Sequence, residues 1–305
     1  MVTTLNAPFE ADQSFLSLDS GKIAIFRHGS GRPVLLVHSV NAAACAAEVK
    51  PLFQHFSQSR QAWALDLPGY GLSERKAMAY TVRMMTDAVI ACAQQAYAQA
   101  GNVPIDALAL SLSSEFLARA AAEHPHLFGR LIMVSPTGFR GMGSLREPAG
   151  STRYMAWLDR ALRGPGWGGA VFRGLTRPSV IRYFLKRTWG SDSIDEELWA
   201  YDTRTTRQPN AEHAPLSFLS GRLFSKDIHT LYDQLDVPIL ITHGTRGDFT
   251  DYRGLTLFAH KRDWQICVFQ DTGALHFFEK PAEFKAIADR FLHHDNEHAN
   301  DRSHR

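Results

Sequence analysis

The chain predicts an α/β fold, a mostly parallel sheet covered by helices on both faces and interrupted by a helical insertion. Apolar strand-length runs alternate with amphipathic helical stretches from Pro33 to Val134. After Gly138 that alternation stops for about ninety residues, and with Val237 to His243 it resumes. Strands alternating with helices are the mark of a parallel sheet buried on both faces. Ligand sites in such sheets lie at the carboxyl ends of the strands.

The elements follow in order. Leu16 to Leu18 and Ile23 to Phe26 read as short strands joined by the turn Asp19-Ser20-Gly21-Lys22, a hairpin signal. Pro33 to His38 is an apolar strand, Asn41 to Phe56 an alanine-rich helix, and Gln61 to Leu67 the next strand. That strand closes on Asp66-Leu67-Pro68-Gly69-Tyr70-Gly71-Leu72-Ser73, a dense turn in which Asp66 can accept from local N–H groups. Thr81 to Ala100 is a long amphipathic helix. Ile105 to Leu110 then runs as a strand straight into the helix Leu112 to Glu123, and Leu131 to Val134 is a further strand. From Phe139 to about Leu231 only helical patches appear, among them Arg153 to Leu162 and Ser179 to Arg187, punctuated by Gly164-Pro165-Gly166-Trp167-Gly168-Gly169. Trp264 to Phe269 and a helix from Pro281 to Leu292 close the pattern. The division is a core of 1–138 and 232–305 with a helical cap of 139–231.

Composition excludes several classes. With 305 residues there is ample chain for a sizeable core. A formal charge of +2 gives no reason to expect a nucleic-acid partner, and no apolar run approaches the ~20 residues of a membrane span. Met1 to Ser14 lacks the apolar centre of a secretory signal. Cys45, Cys92 and Cys267 lie far apart without metal or redox spacing, which points to the cytoplasm and to no metal or cofactor. The terminal stretch from His293 to Arg305, rich in His, Asp and Arg, reads as a solvated tail.

Ser111 is the residue with the most chemistry. A strand that passes without a loop into a helix forces a tight turn whose apex takes positive φ and projects its side chain. The positions two before and two after the apex nearly touch and must be small, and around Ser111 they are Ala109 and Ser113. Neither Ser113 nor Ser114 has small residues on both sides. The alternative role for Ser111 is to cap the following helix.

This order of elements, with an insertion after the sixth core strand, resembles the α/β-hydrolase superfamily with a helical cap, over about Phe15 to Leu292. The turn Asp66 to Ser73 is similar to that family's Asp-x-x-Gly-x-Gly-x-Ser. Asp271-Thr272-Gly273-Ala274-Leu275-His276 followed by Glu279-Lys280-Pro281 looks like its Gly-x-x-His segment leading into a Glu-x-Pro helix start. The resemblance implies a triad in the order Ser, acid, His: Ser111 as nucleophile, Asp248 as acid and His276 as general base. The family commonly places the acid three residues after the glycine that ends the strand. Asp248 is four after Gly244, and Asp251 is a rival. The family's oxyanion hole falls on the N–H groups of Leu112 and Val40, with Ser39 standing where the family has glycine. His38 and His243 read as structural partners. Trp157, Trp167 and Trp189 of the cap, with Ser39 and Asn41, are the candidates for lining a substrate pocket. The cap segment 139–232 carries 14 Lys and Arg against 9 Asp and Glu, a solvated surface or an attraction for an anionic substrate.

The implied function is a serine hydrolase acting on a small apolar ester or thioester through an acyl-enzyme. The alternatives are a serine-dependent acyltransferase or carbon-carbon bond hydrolase, and a non-catalytic ligand-binding member of the fold.

Overall fold

The computed structural model describes residues 5–164 and 167–293. The tail beyond His293 and the pair at 165–166 therefore lie outside the described residues. Eight strands form one sheet: β1 (Asp12–Leu18), β2 (Gly21–His28), β3 (Pro33–Val37), β4 (Gln61–Leu65), β5 (Ile105–Leu110), β6 (Phe128–Val134), β7 (Ile239–Gly244) and β8 (Trp264–Phe269), in the spatial order β1-β2-β4-β3-β5-β6-β7-β8. The β1–β2 and β2–β4 pairs are antiparallel and all later pairs parallel. Every residue of β3, β5 and β7 is buried. Such continuous apolar runs are what a strand covered on both faces requires.

The covering helices are α1 (Lys50–Phe56), α2 (Val82–Gln99), α3 (Ser113–Glu123), α10 (His276–Glu279) and α11 (Pro281–His293). Between β6 and β7 the chain inserts α4 (Ala156–Arg163), α5 (Gly168–Leu175), α6 (Pro178–Trp189), α7 (Glu196–Thr205), α8 (His213–Leu219) and α9 (Ile228–Gln234). Two apolar layers result. One, under α2 and α3, includes Leu35, Val89, Phe116 and Tyr232. The other, under α1 and α11, includes Phe26, Phe53, Leu110, Phe269 and Phe284.

The alanine-rich run departs from a single helix over Asn41 to Phe56. Asn41 Oδ1 accepts from the Ala43 amide at 2.7 Å, a local turn that competes with helix. A 3-10 turn at Ala46–Val49 follows, and α1 starts only where proline occupies its first turn.

Asp66 ties this segment to the sheet. Its buried carboxylate accepts from the Ala46 amide and the Leu72 amide, each at 2.7 Å. Gly71, at φ 49°, lies so close that a Cβ there would stand 1.9 Å from the Asp66 carboxyl carbon. Asp66→Ala leaves the buried Ala46 amide and the half-buried Leu72 amide without their acceptor, and the expected loss is about 2–4 kcal/mol, read as a lowered midpoint in urea unfolding.

Candidate active site

The loops at the carboxyl ends of β3, β5, β6, β7 and β8 meet under the inserted helices around a cavity of about 360 Å³. They contribute Ser39, Val40 and Asn41, then Ser111 and Leu112, then Ser135 and Thr137, then Asp248 and Phe249, and lastly Ala274 and Leu275. The inserted helices close the other side with mainly apolar residues, among them Leu175, Ile181, Phe184, Leu185 and Phe218.

Ser111 stands at the apex of the strand-to-helix turn with φ 52°. Its amide still donates to the Val134 carbonyl at 2.8 Å, so the β5–β6 ladder runs up to the turn itself. For a residue with a Cβ this left-handed backbone costs roughly 1–3 kcal/mol. Ala109 and Ser113 supply the small flanks, and Ser113 does more than fit: its hydroxyl donates to the His38 carbonyl at 2.5 Å and pins the β3 loop to the turn. Val40 and Leu112 line the cavity next to Ser111, and neither amide has an acceptor among the described residues.

Glu48 organises the β3 loop from behind. Its carboxylate accepts from the Ser39 amide at 2.7 Å, the Ser39 hydroxyl at 2.9 Å and the Asn41 side-chain amide at 2.9 Å. Where the family pattern has glycine, this chain has a serine held at both its N–H and its hydroxyl. His38 is structural: its Nδ1 lies 2.6 Å from the Ser39 carbonyl and its Nε2 accepts from the Leu67 amide at 2.9 Å. His243 likewise stacks on Tyr252 and meets the Gly244 carbonyl.

The structure brings Ser111 and Asp248 to one cavity and leaves His276 out of its wall. Leu275 is the last residue of its loop to face the cavity. His276 opens α10 and turns into the second core layer, where it stacks on Phe269 with centroids 4.3 Å apart and meets Phe284. Its Nε2 is 2.8 Å from the Thr242 hydroxyl, and its Nδ1 lies by the backbone of Gly273 and Ala274 without a well-formed hydrogen bond among the described residues. Neither nitrogen bonds Ser111 or Asp248. Burial, with His243 as a lesser cause, lowers its pKa to about 3. Asp248 is instead paired with Arg187 of α6, at 2.7 and 2.9 Å, and is nearly half exposed. Asp251 pairs with Arg253 and accepts from the Gly141 amide, outside the cavity wall.

The tryptophans expected in the pocket lie elsewhere. Trp157 and Trp167 are 69% and 70% exposed. Trp189 is buried against Phe278 in the second core layer. Amphipathic helices present an aromatic outward or inward according to packing that composition does not encode. Two carboxyl groups of the wall escaped the sequence reading: Glu48, whose one signal is an acid set in an apolar alanine run, and Asp202 of α7, which has none.

Because folded His276 stays neutral to about pH 3 while the unfolded chain takes up its proton near 6.5, its contribution to stability falls as pH drops through that window. Glu115 acts oppositely: burial raises its pKa to about 7, so its contribution falls as pH rises from 4.5. The comparison that isolates His276 is therefore wild type against His276→Gln. Between pH 6 and 4 the wild type should lose up to about 1.4 kcal/mol per pH unit more than the variant, measured by urea unfolding.

With this geometry the likeness to known proteins is one of fold. Among solved structures, the 2-hydroxy-6-oxo-6-phenylhexa-2,4-dienoate hydrolase from Rhodococcus sp. strain RHA1 superposes with a TM-score of 0.71 at 15% identity, covering 93% of this chain and 99% of that one. An esterase from Exiguobacterium antarcticum gives 0.70 at 17% identity, over 92% and 98%. A carboxylesterase from Bacillus subtilis gives 0.67 at 15% identity, over 94% and 93%. No curated protein matches in sequence. Among the described residues no helix is long and apolar enough to cross a membrane. The family model for the alpha/beta hydrolase fold matches residues 32–281, and the chain belongs to that family.

Proposed function

We propose that this protein is a small-molecule-binding member of the alpha/beta hydrolase fold family, holding an apolar compound between the sheet and the inserted helices, with Ser111 left without an imidazole base. One observation carries this reading: among the described residues no histidine lines the cavity, and the loop after β8 presents Ala274 and Leu275 to it. A serine hydroxyl needs an adjacent base to become a competent nucleophile. The cavity volume and its apolar walls suit a compact ligand.

A second reading keeps the chemistry. Hydrolysis of a carboxylic ester or thioester at Ser111, or transfer of its acyl group, is favoured by the strained φ of 52° and by the free amides of Val40 and Leu112. Those amides sit at the start of α3, or beside it, where an oxyanion is stabilised. In this reading the serine proton leaves by a route other than His276.

Esterase assays separate the two. Wild type and Ser111→Ala should turn over p-nitrophenyl butyrate and octanoate at the same low rate, and a fluorophosphonate should label Ser111 slowly or not at all. Ala274→His places an imidazole in the cavity wall that also holds Asp248, and should raise turnover on the order of tenfold or more, a gain abolished by adding Ser111→Ala. Fast turnover by the wild type that disappears in Ser111→Ala would overturn the binding reading and establish the second.

A further inference from the structure

The cavity has a charged end that neither reading uses. Asp202 and Glu48 both contribute to its wall, and neither forms an ion pair among the described residues. Glu48 at least accepts three hydrogen bonds from Ser39 and Asn41. Asp202 is 1% exposed, and its one hydrogen bond is a weak one from the Cys45 thiol to Oδ1 at 3.7 Å. Among the described residues no hydrogen bond to Oδ2 is seen.

The cations of neighbouring segments have other partners, although Arg75 keeps a buried Nε that has none among the described residues. Arg75 donates to the Thr205 hydroxyl at 3.0 Å, Arg204 lies over the Tyr201 ring, and Arg187 is held by Asp248. Buried carboxyls are ordinarily paired with a cation or supplied with several donors, because removing their charge from water is costly. Burial, reinforced by the charge of Glu48, raises the Asp202 pKa well above the usual carboxylate range, as expected where the compensating positive charge is missing from the protein.

We propose that the Asp202–Glu48 end of the cavity receives a protonated amine, so that the ligand is an amphipathic amine whose apolar body lies along Leu175, Ile181, Phe184 and Phe218. The ammonium supplies N–H donors to Asp202 Oδ2 and to Glu48, Asp202 gives up its proton to solvent as the amine docks, and the positive charge of the guest offsets the buried carboxylates. Charge-assisted hydrogen bonds of this kind are about twice as strong as neutral ones. The aliphatic remainder leaves water for a wall that is mostly hydrocarbon. This inference rests on the cavity being a ligand site, as proposed above, and adds what the ligand carries.

Calorimetric titration of the full chain with n-octylammonium, n-octanol and n-octanoate tests it. In the wild type, octylammonium should bind on the order of tenfold more tightly than octanol, and octanoate more weakly than either. In Asp202→Asn that advantage should shrink to about twofold or less while octanol affinity is kept. Octanol or octanoate binding as tightly as octylammonium to the wild type would overturn the amine site while leaving the cavity reading intact, and this comparison decides even if the variant does not fold. Failure of all three probes to bind the wild type would overturn the cavity reading and this inference together.

Discussion

Gly273 lies against the backbone of Trp189 so closely that a Cβ there would stand 2.3 Å from that carbonyl oxygen, and this contact governs what the site can do. Around it the loop after β8 is held on every side. The Ala274 amide donates to the Thr188 carbonyl at 2.9 Å, and the Ala274 carbonyl accepts from the Ser135 hydroxyl at 2.7 Å. The Gly273 amide donates to Glu279 at 2.7 Å, and Arg246 bridges Glu279, the Asp271 carbonyl and the Trp189 carbonyl. The loop is thereby fixed with Ala274 in the cavity wall that also holds Ser111, and the next turn carries the imidazole of His276 into the core. Moving that imidazole to the cavity would mean releasing Thr242 and opening the stack on Phe269.

The same economy of contacts explains the departures from glycine at the other two loops. Ser113 replaces a small flank with a hydroxyl that ties the turn to the His38 carbonyl. Ser39 replaces a flexible residue with one that Glu48 holds at two points. Both substitutions stiffen the polar end of the cavity, and the second brings a buried carboxylate to it. A negative charge behind the β3 loop works against an oxyanion forming there and in favour of a positively charged guest.

Much of the fold was legible in the chain. The apolar runs that became β3, β5, β6 and β7 are buried on both faces, so they announce themselves without alternation, and the insertion shows as the stretch where those runs stop. Ser111 was legible because an elbow constrains its neighbours at fixed spacing, and Ala109 and Ser113 satisfy that constraint. His276 was harder. Its offset from Gly273 and its Glu279-Lys280-Pro281 flank identify the loop, but which residue of a loop faces a cavity depends on side-chain direction, and the two positions between Gly273 and His276 took that place. Asp202 reaches the cavity from a helix some ninety residues away from Ser111 in the chain, through packing of the inserted helices that no local pattern encodes.

In the structure His276 is packed in the core, with neither ring nitrogen bonded to Ser111. Long-range proton–nitrogen NMR of the histidine side chains tests this most directly, on the wild type and on Ser111→Ala from pH 8 to pH 5. The His276 signals should remain those of one neutral tautomer throughout and be unchanged by Ser111→Ala. A His276 imidazole that titrates near neutral pH and shifts when the Ser111 hydroxyl is removed would contradict it.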